Sequence, residues 1–320
     1  MTDLVTYEDL IAANKRKSAL LVVLFALFVA AVSMVLGLAI VAMLQPRALA
    51  AVDWRQGLLV GAVAAGVSLV IALIGFYRGP EMILHVSRAR PIRHEDDPEL
   101  FNVVEEMAIA AGIPMPKVYV IDDSAPNAFA TGRDPQHGIV CITTGLRHKL
   151  NREELQGVIA HEIAHIRNYD IRLMMLLAVL VGTVAMLADF YWQVLRYGPR
   201  VHRRDGRRDG GGIHPLLFLL AILLALLAPL AAQLIQLAVS REREYLADAS
   251  AVELTRNPLG LASALAKIDA DPDVLEVANQ GTAHLFIANP IKKFEARART
   301  IFSSHPPIQE RIRRLRMLAG

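Results

Sequence analysis

The chain has 320 residues, 54% of them hydrophobic, with 34 Lys and Arg against 31 Asp and Glu for a formal charge of +3. So small a charge excess argues against nucleic acid as a partner, and the apolar share, concentrated in four segments, points to a membrane protein and not to a soluble chain of this length. A single cysteine, Cys141, excludes an intramolecular disulfide and suits a reducing compartment.

The first segment, Ser18 to Leu44, has no charged residue and follows Lys15, Arg16 and Lys17 directly. A secretory signal would have a shorter apolar region and a small-residue cleavage site, so this reads as an uncleaved anchor. Gly57 to Tyr77 is a second uncharged stretch. The polar part that follows, 78–170, begins with DPELFNVVEEMAIAAGI, whose Asp97-Pro98 is an N-cap followed by the first helical position. PKVYVI, PNAFATG and HGIVCIT are short β-branched or aromatic runs bounded by Pro, Gly and Asp, the marks of strands, and Cys141 fits a core position in the last of them. NREELQGVIAHEIAHIRNYD predicts a helix capped by Asn151, with Glu153 and Glu154 in its first turn.

The third apolar segment begins near Ile171, is apolar from Leu173 to Ala188, and ends in DFYWQ, with Asp189, Tyr191 and Trp192 of interfacial character. A flexible GRRDGGG loop precedes the fourth, Leu216 to Val239, which is uncharged and includes Pro229, Gln233 and Gln236. REREYLADASAVELT then predicts a helix, Asn257-Pro258 opens another, and HPPIQERIRRLRML starts the last. The organisation expected is therefore 1–77 with two transmembrane helices, 78–170 polar, 171–239 a transmembrane hairpin, and 240–320 polar. Four spans put both polar parts on the side of the N-terminal KRK. Arg78, Arg88, Arg90, Arg93, Arg167, Arg172, Arg241 and Arg243 mark that side as cytoplasmic. The arginine-rich 196–212 loop runs against this orientation, and the alternative is that the third and fourth segments form a hairpin that does not fully cross.

His161 and His165 are four apart, hence on one helix face, where two imidazoles can reach one tetrahedral zinc. Glu162 is placed to take a proton from a zinc-activated water, which is the logic of HExxH. A catalytic zinc needs a third protein ligand, and no histidine follows at the short spacing some zinc peptidases use. Glu242, Glu244 and Asp248 follow the fourth segment at helical spacing. Glu244 and Asp248 share a face, so one can bind zinc while the other accepts a hydrogen bond from a ligand histidine. Asn168 and Asp170, where the catalytic helix meets the third segment, are placed to orient site residues.

HEIAH, NYD and SREREYLADASAVELT resemble the integral-membrane zinc metallopeptidases of the HtpX type, relatives of the CAAX prenyl proteases. PMPKVYVID, APNAFATGR, TTGL, HLFIANP and SSHPPIQERIRRL extend the match over most of the chain. The resemblance implies a mainly α membrane protein, with four transmembrane helices and a zincin-like α+β metallopeptidase domain containing a small β-sheet. It implies one Zn2+ per chain on His161, His165 and Glu244, Glu162 as catalytic acid/base, and Asp248 as partner of a ligand. From the CAAX relatives it implies that His305 and Arg311 support the tetrahedral intermediate. It also implies that Asn127, Ala128, Phe129 and Ala130 form a strand on which substrate adds by main-chain pairing.

The expected function is zinc-dependent endoproteolysis of misfolded or surplus membrane proteins at the cytoplasmic face of the cell (plasma or inner) membrane. Expected partners are unfolded or membrane protein substrates and the lipid bilayer, with no nucleic acid and no particular oligomeric state implied. The alternatives are a non-proteolytic membrane scaffold or chaperone with a structural zinc, and a processor of prenylated proteins.

Overall fold

The uncharged Gly57–Tyr77 stretch lies within one long helix, α1 (Trp54–Val86), which continues past Arg78 and through Pro80. The computed structural model describes residues 54–176, 241–277, 285–288 and 306–319, with Thr282 and scattered positions between 12 and 27. Most of the first apolar segment, the third beyond Leu176, the 196–212 loop, the fourth segment and His305 lie outside the described residues. Among residues with both backbone and side chain described, no helix is long and apolar enough to cross a membrane. Many side chains of α1 before Ile74 fall outside that set.

The chain divides into two compact units, one of residues 1–19, 75–178 and 235–320, the other of 20–74 and 179–234. In the first unit, α2 (Pro98–Ala111) starts as its sequence predicts: the Asp97 side chain accepts from the Leu100 amide, Pro98 follows, and Gly112 ends the helix in the left-handed conformation. The three expected strands form, as β2 (Lys117–Ile121), β3 (Ala128–Thr131) and β4 (Ile139–Thr143), joined by a two-residue β1 (Arg90–Pro91). Their order is β1-β2-β4-β3, with β2 and β4 parallel and the outer pairs antiparallel, so β3 is an edge strand. Cys141 is buried in β4 opposite Tyr119 and Phe129, a core position as expected.

A short helix, α3 (Thr144–Lys149), leads from β4 into α4 (Arg152–Arg167), the HExxH helix. α4 opens with a reciprocal capping box: Glu154 N donates to Asn151 Oδ1, and Asn151 N donates to Glu154 Oε2, both at 2.9 Å. Glu154 also accepts from Lys267 Nζ (2.6 Å) and Ser263 Oγ (2.7 Å), which ties the cap to α6 (Pro258–Ala270). Burial alone would raise the Glu154 pKa, but these hydrogen bonds outweigh it and hold the carboxyl below its ordinary range. α4 is buried almost all round, as a helix at the centre of a core must be. It packs against α2, β3, α6 and α5 (Arg241–Thr255). Gly157 permits the α6 contact, since a Cβ there would lie 2.7 Å from the Leu261 amide nitrogen. α7 (Ile308–Met317) packs on α6 and α5 and closes the described chain.

The HExxH helix was expected to run through Asp170. It stops at Arg167 instead: Asn168 caps it and Tyr169 takes a positive φ of 60°. A second helical stretch then begins at Asp170 and is described to residue 176. This turn sends Asp170 back toward the preceding helix, a position that a continuous helix would not give it.

Candidate metal centre

α4 supplies His161, Glu162 and His165 on one side of the site, and α5 supplies Glu244 and Asp248 on the other. All are buried. The Nε2 atoms of His161 and His165 face each other at 3.1 Å. Glu244 lies 3.7 Å from each of them, through Oε2 to His161 and Oε1 to His165. Each of the three residues offers a ligand atom within 4.8 Å of the other two.

The rings are held from behind. His161 Nδ1 lies 3.0 Å from Asp248 Oδ1, and His165 Nδ1 lies 3.1 Å from Asp170 Oδ2. A proton on each Nδ1 then donates to a carboxylate and leaves Nε2 as a lone-pair donor, the tautomer a metal needs. Asp248 in turn accepts a two-pronged bond from Arg311, Nε to Oδ2 at 2.9 Å and Nη2 to Oδ1 at 2.7 Å. Burial would raise the Asp248 pKa, but Arg311 and His161 hold it below the usual carboxylate range. Asn168, also buried, donates its backbone N–H to Ala164 and caps the helix, so its part is to end α4 where Asp170 can turn back.

The residues fit a divalent cation on two counts. Four oxygen or nitrogen ligands at zinc distances form a tetrahedron with edges of about 3.3 Å, close to the separations here. The second count is charge. Among the described residues, Glu162, Glu244, Asp248 and Asp170 are buried carboxylates, while the buried cations beside them are Arg243 and Arg311. A divalent ion makes up the difference.

Metal-free, protons must make it up instead. Burial pushes Glu162 up to about 7, with Glu244 adding to the effect. Burial opposes a charge on His165 too, but the Asp170 hydrogen bond and the charges of Glu244, Asp170 and Glu162 prevail and raise it to about 9. His161 falls to about 4, through burial and the neighbouring Arg311 and His165 charges. The facing rings thus hold one proton between them, on the side away from Arg311. A cation must displace that proton, so its affinity rises with pH until His165 is neutral. Zinc affinity is therefore expected to increase about tenfold per unit between pH 7 and 8.5. Competition titration against a chelating indicator checks this, and a flat profile contradicts it.

Glu162 Oε1 is buried with no hydrogen-bond partner among the described residues, while the backbone of Ala130 in β3 hydrogen-bonds the carboxylate. Glu162 also adds to burial in raising the Cys141 thiol well above its ordinary value, which leaves that thiol inert. The outer edge of β3 is partly taken by the chain itself. Ile287 N donates to Ala128 O at 2.9 Å, Phe129 bridges Phe286, and Asn127 Nδ2 donates to Ala288 O at 3.1 Å. Arg311 Nη1 donates to the Ile287 carbonyl at 2.8 Å. Of the expected strand residues, Asn127, Ala128 and Phe129 therefore hold Phe286–Ala288, and Ala130 stands beside Glu162.

A family model described as Peptidase family M48 matches residues 94–319. The chain belongs to peptidase family M48. It is accordingly a metallopeptidase, a hydrolase, and the non-proteolytic scaffold reading falls. Curated M48 relatives named Protease HtpX homolog agree with the resemblance carried by the motifs. The one from Streptococcus gordonii is 40% identical over 309 residues, covering 96% of this chain and 98% of the relative. That from Thermoanaerobacter pseudethanolicus is 42% identical, covering 98% of each. That from Caldanaerobacter subterraneus subsp. tengcongensis reaches 49% over 226 residues, covering 69% of this chain and 74% of the relative. The crystal structure of Ste24p from S. mikatae aligns with a TM-score of 0.45 at 20% identity, covering 78% of this chain and 57% of that one.

Two parts of the M48 site escaped sequence reasoning. Arg243 stood out only as a charge beside a membrane segment, yet it is 6% exposed and lies in the site. Its place one residue before Glu244 was the available signal. Phe286–Ala288 carried no chemical signal, and its membership in the family-like HLFIANP stretch was the available one; its backbone contacts and the edge-on Phe286–Phe129 ring pair hold it on β3. Of the remaining expected site residues, Arg311 is buried against Asp248, and His305 lies outside the described residues.

Proposed function

We propose that this M48 peptidase is a zinc endopeptidase seated in the cell membrane, cutting misfolded or surplus membrane proteins at the cytoplasmic face. The observation that carries the chemistry is the convergence of His161 Nε2, His165 Nε2 and Glu244 beside a buried, half-satisfied Glu162 carboxylate. Those three residues hold the zinc, which when bound supplies a Lewis acid for the scissile carbonyl and for water.

Glu162 does the proton work. Its carboxylate takes the proton of the attacking water and returns it to the leaving amine. Asp248 and Asp170 keep the ligand rings in one tautomer. Arg311, with its fork on Asp248 and a third donor on Ile287 O, acts by holding that frame. The oxyanion role for Arg311 and His305 rests on the resemblance alone. Substrate would meet β3 at Ala130, beyond the part of the edge that Phe286–Ala288 occupies.

The membrane setting is supported by the uncharged segments on the sequence between His165 and Glu244, and by the charge-free Gly57–Tyr77. The experiment uses full-length protein in vesicles, loaded with zinc, with one membrane protein offered folded and misfolded. The misfolded form is expected to be cut at least about tenfold faster, a difference in barrier of about 1.4 kcal/mol. Equal cutting of both forms would refute the quality-control role.

A further inference from the structure

Each ligand histidine is backed by a carboxylate with an arginine beyond it, hydrogen-bonded on the His161 side and at ion-pair distance on the His165 side. Behind His161 stands Asp248, and behind Asp248 the buried guanidinium of Arg311. Behind His165 stands Asp170, which is 1% exposed. The other oxygen of that carboxylate, Oδ1, lies 3.9 Å from Nη1 of Arg243. We propose that Arg243 is a positioning residue of the metal centre: its buried charge beside Asp170 Oδ1 keeps the other carboxylate oxygen turned toward His165.

Several features favour this over an incidental buried charge. Taking a guanidinium out of water costs several kcal/mol unless anions face it. Asp170 and Glu244, both parts of the site, are among the charges that act on Arg243. Arg243 also adjoins Glu244 on α5, so its backbone is fixed wherever the ligand is fixed. Asp170 reaches His165 only through the turn at Asn168 and Tyr169, where Tyr169 holds a left-handed φ that a bulky residue adopts at some cost. A carboxylate presented by such a turn gains from a second anchor, and Arg243 on the opposing helix supplies it.

Removing Arg243 should change zinc affinity in the sense opposite to that of simple electrostatics. Were Arg243 only a positive charge near a cation site, its removal would tighten zinc binding or leave it unchanged. As the anchor of Asp170, its removal lets the carboxylate turn away and His165 lose its set tautomer. Loss of such an outer partner typically costs about 10–100-fold in metal affinity.

The proposal rests on the zinc reading above, and one set of measurements separates the two. Zinc affinity is measured on full-length wild type, Arg243→Met, Arg243→Lys, Asp170→Asn and the Arg243→Met/Asp170→Asn pair, with the visible spectrum of the cobalt-loaded forms as a report on ligand geometry. Arg243→Met and Asp170→Asn should each weaken zinc by about 10–100-fold and alter the cobalt spectrum. The pair should be no weaker than the worse single variant, since both changes break one link. Arg243→Lys, which keeps the charge, should fall between wild type and Arg243→Met, and it carries the test if Arg243→Met does not fold. If wild type binds no zinc, the zinc reading fails. If wild type binds zinc but Arg243→Met binds it as tightly, or the pair shows the product of the two losses, the role given to Arg243 is wrong.

Discussion

Glu162→Gln should bind one zinc per chain and lose about 10²–10⁴-fold in kcat/KM, the range that removal of a general base produces. The substitution keeps the shape of the side chain and leaves His161, His165 and Glu244 untouched. What disappears is the ability to take a proton. The carboxylate is buried, one oxygen lacks a partner among the described residues, and in the metal-free site burial raises its pKa to about 7. A group so placed is costly to the fold and poised for proton transfer. Neutralising it removes a charge that the metal-free site bears poorly, so the metal-free variant should unfold at the same temperature as wild type or higher. Zinc analysis, thermal unfolding and cleavage of unfolded casein test the three parts together. A variant that keeps more than a tenth of wild-type turnover would show that another group carries the proton.

Glu244→Gln should act on a different quantity. Gln has the same shape, but its neutral oxygen is a poor zinc ligand, and the buried arginines lose one of the anions that compensate them. Zinc affinity is expected to fall by more than the about 100-fold that loss of an outer partner costs. Activity at limiting zinc should fall in step and recover in part at high zinc. In Glu162→Gln, by contrast, added zinc restores nothing. Competition titration beside activity measured across zinc concentrations separates the two variants. If Glu244→Gln binds zinc like wild type, the third ligand lies elsewhere.

What could be read along the chain was chemistry carried by near neighbours. The caps at Asp97, Asn151 and Asn257 are local hydrogen bonds, and each starts its helix where the sequence places it. His161 and His165 share a face through helical spacing alone. Spacing also brought Glu244 and Asp248 together but left open which would face the histidines. The resemblance chose Glu244, whose oxygens lie by both Nε2 atoms.

Other features depend on partners distant in sequence. The end of the HExxH helix at Arg167 needs Tyr169 in a left-handed conformation, and RNYD has neither glycine nor proline to announce it. α3 passed unseen because it is short and contains Gly145. That glycine is required where a Cβ would collide with the Ser124 carbonyl. Arg243 shows the limit of counting arginines for orientation. The count assumes that each charge faces the aqueous side, whereas this one is buried against Asp170. The self-pairing of Phe286–Ala288 with β3 joins segments far apart in the chain, largely through backbone hydrogen bonds that local side-chain patterns do not encode.

Peptide hydrolysis by this chain is expected to need one metal ion held by His161, His165 and Glu244. Full-length protein stripped by a chelator and titrated with zinc tests it directly. Casein cleavage should be absent at the start, rise in proportion to added zinc, and reach its plateau at one zinc per chain. Cleavage that persists in the stripped protein, or a plateau that requires a second zinc, would contradict it.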